Sequence, residues 1–242
     1  PNPFPTPGPS AGPLSAHGRP AALGTLVAQG SGQPYRFTPD DLVWTARFLV
    51  GETGGRRAGA EQAAVVWAMF NRYALLTRTL YPSFHAFLRA YSTPLQHVLR
   101  NWQAARRAQR RPDFVPTGDT YPRPAPPGIP RGQLGRYRTL QQRPWQHLPA
   151  AARTLAARAL TGALPNPIGN ATEFGSTRQY FHDRYDRYPS PAEWQAYTER
   201  FAARKDWQWI GPVPGLDQDG NTFFVQRRLA FLAPGAVRVL PP

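Results

Sequence analysis

The chain has 242 residues, 41% of them hydrophobic and 12% aromatic, which is enough material for one sizeable core. Its formal charge is +15, from 29 basic against 14 acidic residues, and Lys205 is the only lysine, so the surface is arginine-rich and attracts polyanions such as nucleic acid, anionic lipid or phosphate-bearing envelope polymers. The lack of cysteine excludes disulfides, thiolate catalysis and cysteine-ligated metal, and no apolar run approaches the ~20 residues of a membrane-spanning helix.

The 29 prolines cluster. Residues 1–37 are rich in Pro, Gly, Ser and Ala without a helical or strand period, and are expected to form an extended arm able to lie along a partner. The stretch from Pro1 to Pro9 has neither the basic start nor the apolar run of a secretory signal. The folded body is then expected over 38–242.

A first helix opens at Thr38-Pro39-Asp40-Asp41, where Thr38 caps, Pro39 suits the first position and acidic residues occupy the first turn. It runs to Gly51 or Glu52 and is stopped by Gly54-Gly55. Residues 42–50 are apolar nearly all round, interrupted by Thr45 and Arg47, so the helix is buried. A second helix is expected over 59–77, with Ala63, Val66, Trp67 and Phe70 at helical spacing. Further helices are expected over 81–90 and 95–108, followed by a Pro-rich surface loop at 112–132. Another helix covers 149–160 and ends at Gly162. Ser190-Pro191-Ala192-Glu193 is a capping box opening a helix to 205. Residues 222–226 and 236–240 have strand character around the turn signal Asp219-Gly220. The fold class is mainly α (α+β), helical with a small β element.

Chemistry concentrates at Val50-Gly51-Glu52-Thr53-Gly54-Gly55. Glu52 follows Phe48 and Leu49 by one turn and emerges from a buried helix at its negative end. Desolvation and the helix dipole both disfavour the carboxylate, as a general acid requires. The competing reading is an exposed helix-end glutamate paired with Arg56 or Arg57.

Four islands in order extend this reading. Gly51-Glu52 is followed by Glu61-Gln62-Ala63-Ala64-Val65-Val66-Trp67-Ala68-Met69-Phe70-Asn71-Arg72, then Tyr91-Ser92-Thr93-Pro94, Asn170-Ala171-Thr172-Glu173-Phe174 and Gly220-Asn221-Thr222-Phe223-Phe224. Together they resemble the SleB-type cell-wall hydrolases, whose motifs are a Gly-Glu-Ala-type turn with a helix ending in Asn-Arg, a Phe-Ser-Pro segment, a Gly-Ala-Thr-x-Phe motif and a closing Gly-x-His-x-Phe-Tyr-like strand. The resemblance implies a lysozyme-like fold and cleavage of peptidoglycan glycan, by a muramidase or lytic transglycosylase route, with Glu52 as catalytic acid. It implies that Thr53, Ser92, Thr172, Glu173, Phe174, Asn221 and Phe223 line the substrate cleft.

The chain departs from that pattern in three places. Gly54-Gly55-Arg56-Arg57 stand where a second acidic residue is usual, Asn170 replaces a glycine but tolerates a left-handed backbone, and Thr222 replaces a histidine. Glycosidases usually employ two carboxylates. Here Glu61 is explained by a helix N-terminus, and Glu173 is the other candidate, so a single-acid scheme is preferred in which Glu52 also serves as base. His17, His85, His97, His147 and His182 lack ligand spacing, so neither metal nor cofactor is called for. The run His182-Asp183-Arg184-Tyr185-Asp186 reads as a solvated loop, and Trp194, Tyr197, Trp207 and Trp209 read as core more than as sugar platforms.

The expected partners are peptidoglycan, polyanions bound weakly and non-specifically, and a carrier such as a phage or injection particle docked through 1–37. The site of action would be the bacterial cell wall. The rival from another class is a non-enzymatic, arginine-rich structural or nucleic-acid-binding protein on a degenerate hydrolase fold, using Arg106, Arg107, Arg110 and Arg111.

Overall fold

The computed structural model describes residues 18–55, 59–95, 131–216 and 219–242. The expected helix at 95–108, with its arginine run, and the loop at 112–132 lie largely outside the described residues.

The first described elements are strands. β1 (Thr25–Ala28) and β2 (Ser31–Arg36) form a hairpin across Gly30, whose φ of 72° suits glycine. β1 also pairs antiparallel with β6 (Val237–Leu240), giving a sheet of order β2-β1-β6. This corrects the later part of the arm expected over 1–37, whose residues 1–17 lie outside the described residues. Leu26, Tyr35 and Phe37 are core residues, and Phe37 packs 5.3 Å from Phe70 and 5.7 Å from Phe84. The Pro- and Gly-rich composition hides short strands, one of whose partners lies about 210 positions away, so no local period announces them.

α1 (Pro39–Thr53) begins as the sequence implies, with Thr38 and Asp41 forming a reciprocal capping box. Asp41 is fully buried and does more than cap. It accepts from the Tyr35 hydroxyl at 2.7 Å and from His85 N and Nδ1 at 2.8 Å each, so one carboxylate joins β2, α1 and the next-but-one helix. α1 ends at Gly54, in the left-handed region at φ 76°.

α2 (Ala60–Arg72) is the central helix. Residues 64–71 are all buried, which explains the absence of a polar face. It continues into a π-helical turn, Tyr73–Thr77, so the helical run matches the expected 59–77. α3 (Phe84–Tyr91) closes an aromatic cluster with Phe37, Phe70 and Tyr73. α4 (Arg131–Gln142) and α5 (Ala150–Leu160) pack against α1, with Gly162 at φ 78° ending α5 as expected.

A second antiparallel sheet has the order β3-β5-β4, from β3 (Glu173–Gly175), β4 (Trp207–Trp209) and β5 (Thr222–Gln226). Phe223 joins the main core, while Phe224 meets Phe201 at 5.8 Å and Trp207 at 5.6 Å on the other face. That outer layer is α6 (Thr177–Tyr185) and α7 (Pro191–Arg204). α7 starts at the expected capping box on Ser190. α6 corrects the solvated loop expected at 182–186: His182 to Tyr185 are helical, and Asp186 ends the helix at φ 53°. Its polar composition gives little amphipathic signal, and burial of Thr177 and Phe181 decides the matter. The result is an α+β fold in which helices dominate two small antiparallel sheets. No helix among the described residues is long and apolar enough to cross a membrane.

Candidate active site

Glu52 sits in the last turn of α1. It keeps solvent access, yet protein surrounds its carboxyl closely enough that burial raises its pKa above the ordinary carboxylate value. A hydrogen bond from the Ser92 hydroxyl, 2.7 Å from Glu52 Oε1, opposes that rise without cancelling it. Glu52 as a whole is an exposed residue, so its carboxyl is reachable by solute.

Ser92 is itself buried, and three features fix it. Its N–H donates to Leu88 O at 2.9 Å at the end of α3, and Gln141 Nε2 holds Pro94 O at 3.0 Å. The third is Gly51, where an added Cβ would lie 3.0 Å from Pro94 Cβ and 3.4 Å from a Leu140 methyl. The absent side chain lets Pro94 press against α1, and Ser92 follows onto Glu52.

Tyr91 stands between Glu52 and a second charged group. Burial pushes its phenol up to about 12, Arg72 opposes, and the charges of Glu173 and Glu52 add to the rise. The Arg72 guanidinium lies 5.2 Å over the Tyr91 ring and forms an ion pair with Glu173. Glu173 Oε1 also accepts from Gln226 Nε2 at 2.7 Å and faces Thr172 Oγ1 at 3.4 Å. Its neighbour Asn71 donates to Gly169 O at 2.7 Å and Ala171 O at 2.8 Å, fastening the loop that leads into β3. Thr172 N donates to Phe224 O at 3.0 Å, which couples β3 to β5. The end of α1, the Asn71-Arg72 pair, Tyr91-Ser92, Thr172-Glu173 and β5 therefore converge, although they are scattered over 175 positions of the chain.

The expected cleft residues divide. Glu52 and Ser92 meet. Glu173 is near them but is buried and engaged by several donors on one oxygen, which suits a fixed counter-charge more than a nucleophile. Thr53 turns its hydroxyl back to Leu49 O at 2.7 Å. Phe174 is half-buried, 6.0 Å from Phe223. Thr172 and Phe223 are 0% and 1% exposed and do not open toward Glu52; Phe223 borders only the separate cavity described below. They are buried because the sheet is covered on both faces, Phe224 on the opposite side of β5 being as enclosed as Phe223. Asn221 is held at the far end of β5, where its N and Nδ2 donate to Glu61 Oε1 at 2.9 and 2.8 Å. Thr222 is buried and hydrogen-bonded to Thr177 at 2.8 Å.

Asn170, which stands where the resembled pattern has glycine, is not left-handed; Gly169 before it is, at φ 55°. Asn170 rather ties Leu232 O and Ala233 O, at 3.1 and 2.9 Å. Arg72, Tyr91, Tyr180 and Gln226 were not foreseen as site residues. Arg72 and Tyr91 lie inside recognised motifs. Tyr180 and Gln226 carry no sequence signal; the Tyr180 hydroxyl occupies the space that a Gly175 side chain would need.

A separate cavity of about 330 Å³ lies at the Asn221 end of β5, lined by Trp194, Trp209, Val213, Leu216 and Phe223 among others. Trp194 and Trp209 meet edge to face at 5.3 Å. Ser83, His85 and Asp41 stand in the order of nucleophile, base and orienting carboxylate, at 3.2 and 2.8 Å. That arrangement is a cap. Phe84 N, His85 N, Ala86 N and Phe87 N already donate to Tyr35, Asp41 and Ser83, so the first turn of α3 has no N–H left to hold an oxyanion. Among the described residues, no three His, Asp or Glu side chains are grouped to hold a metal ion.

Comparison of the chain with protein-family models, with curated proteins and with solved structures finds no match.

Proposed function

We propose that this chain cleaves the glycan strands of peptidoglycan on a lysozyme-like framework, with Glu52 as its single acid and base. The observation that carries the reading is the Glu52 carboxyl itself: open to solute, surrounded by protein, raised in pKa, and oriented by Ser92. A carboxyl raised in this way keeps its proton to higher pH than an ordinary carboxylate does, which suits delivery of that proton to a glycosidic oxygen.

The single-acid scheme draws support from Glu173, whose oxygen is already shared by Arg72 and Gln226. Glu52 protonates the leaving oxygen as the glycosidic bond breaks. Its carboxylate then takes a proton from the attacking hydroxyl, which belongs either to the same sugar or to water. The first route leaves an anhydro end on the product and the second a reducing end. Arg72⁺ near Tyr91 supplies positive charge that offsets Glu173 within the site.

The test is a zymogram on purified peptidoglycan with mass spectrometry of the released fragments. Clearing by the wild-type chain, lost in Glu52→Gln, is the expected result. Absence of any glycan fragment from purified sacculi would overturn the reading.

A further inference from the structure

Trp44 on α1 carries two guanidinium groups. Arg47 Cζ and Arg89 Cζ each lie 4.5 Å from the centre of the indole ring, the first from the next turn of α1 and the second from α3. The two cations are therefore within about 9 Å of each other. Neither takes part in an ion pair among the described residues. Stacking a second cation on one indole gains little, because repulsion from the first offsets it. Burial and Arg89 both hold Arg47 below the ordinary guanidinium value, while Asp40 acts weakly the other way.

The donors left over point to an anion. Arg47 uses Nε and Nη2 on Arg143 O, at 3.3 and 3.0 Å, which anchors its plane and leaves Nη1. Arg89 has no hydrogen bond to a described residue, and neither does the Trp44 indole N–H. All three side chains are half-buried, so the charges are partly desolvated but reachable. Planar forks arriving from two helices, with an indole N–H beside them, match the several oxygens of a phosphate better than a single point charge does.

We propose that Arg47 and Arg89, stacked on Trp44, bind a phosphate group, whose source is a phosphodiester-bearing polymer of the envelope that the chain attacks. The choice of source rests on the proposed wall-cleaving function and on position. Trp44 precedes Glu52 by roughly two turns, about 12 Å, along α1. Arg89 lies one turn before Ser92 on α3, and α1 packs against α3. A polymer along that seam meets the cations and Glu52 together.

The whole chain, labelled with ¹⁵N, is titrated with inorganic phosphate at constant ionic strength, following the indole resonance that disappears in Trp44→Phe. A saturable shift is expected, weakened ten-fold or more in Arg89→Gln and unchanged in Arg200→Gln, on exposed α7. No saturable shift, an equal response to chloride or acetate, or full affinity in Arg89→Gln overturns the phosphate site. For the source, wild type should clear walls carrying the phosphodiester polymer faster than stripped walls, and Arg89→Gln should abolish that preference. An unaltered preference overturns the source, as does Arg89-dependent binding of a DNA duplex tighter than that of the wall polymer. Lysis of neither wall would instead count against the proposed function, while the titration still decides the phosphate site.

Discussion

The Ser92 hydroxyl meets the Glu52 carboxyl at 2.7 Å across 40 positions of sequence, and on this carboxyl it works against burial. The hydrogen bond favours the charged form, whereas desolvation favours the neutral acid and prevails. Removing the weaker influence should therefore push the pKa higher still. In Ser92→Ala, the alkaline limb of the pH–rate profile for wall lysis should move to higher pH, since the acid stays protonated longer. A limb that stays put or moves downward would show that Ser92 does not tune Glu52.

Glu52→Gln separates chemistry from stability. Lysis should fall at least ~10²–10⁴-fold, because the amide keeps the shape and the bond from Ser92 but has no proton to give. The stability effect has the opposite sign. A carboxyl whose folded pKa is raised contributes stability fully below the ordinary carboxylate value of 4.5, and loses it as pH rises through the raised pKa. Thermal unfolding should thus find the Gln variant more stable than wild type at neutral and alkaline pH, with the gap closing in acid. Wild-type lysis, or a variant less stable at neutral pH, would contradict the assignment.

Gly51→Ala tests how the site is positioned. The new methyl would sit 3.0 Å from Pro94 Cβ, so Pro94 must retreat by a few tenths of an ångström and Ser92 with it. Crowding of this kind costs about 1 kcal/mol or a little more. Alanine in a helix regains about 1 kcal/mol relative to glycine. The urea midpoint should accordingly change little while the lytic rate drops severalfold. Equal losses in both would mean that Gly51 serves the fold and not the site.

Arg72 gives a contrasting case. Truncation to alanine strands Glu173, which is buried, without its counter-charge, at a cost of about 3–5 kcal/mol. Glu173→Gln removes the charge that Arg72 balances, but Arg72 is a quarter exposed and can hydrate, so that variant should lose less. Denaturant unfolding of both variants, and of the double variant, measures the coupling.

The parts of this molecule legible in the sequence are those with local causes. The cap at Thr38, the stop at Gly54, the central helix and the box at Ser190 each follow from side chains within one turn of the backbone they satisfy. Glu52 was legible for the same reason, since a buried helix ends there. The misses have distant causes. Thr172 and Phe223 match positions of the resembled pattern, yet layers packed on both faces of the sheet enclose them. Tyr180 reaches its place only because α6 folds over β3, and the helical period of α6 is too weak to announce it.

Residues 25–36 lie in a stretch whose composition suggests an unstructured arm, and they form two strands of the fold. Tyr35 hydroxyl donates to Asp41 at 2.7 Å and accepts from Phe84 N at 3.1 Å; Asp41 keeps Thr38 N and His85 N and Nδ1 as other donors, whereas Phe84 N depends on this hydroxyl. Tyr35→Phe should cost about 1–3 kcal/mol, chiefly the penalty for leaving the buried Phe84 N–H unmatched. Phe37→Ala opens a cavity among Phe70, Phe84 and Tyr35 and should cost about 3–5 kcal/mol. Either is a large share of the ~5–15 kcal/mol available to a domain of this kind. Deleting residues 1–37 imposes both losses and also strips β6 of its only strand partner, β1, among the described residues. The truncated chain should show no cooperative urea transition. A cooperative transition in this deletion, close to wild type, would make the hairpin an ornament on a core that stands without it.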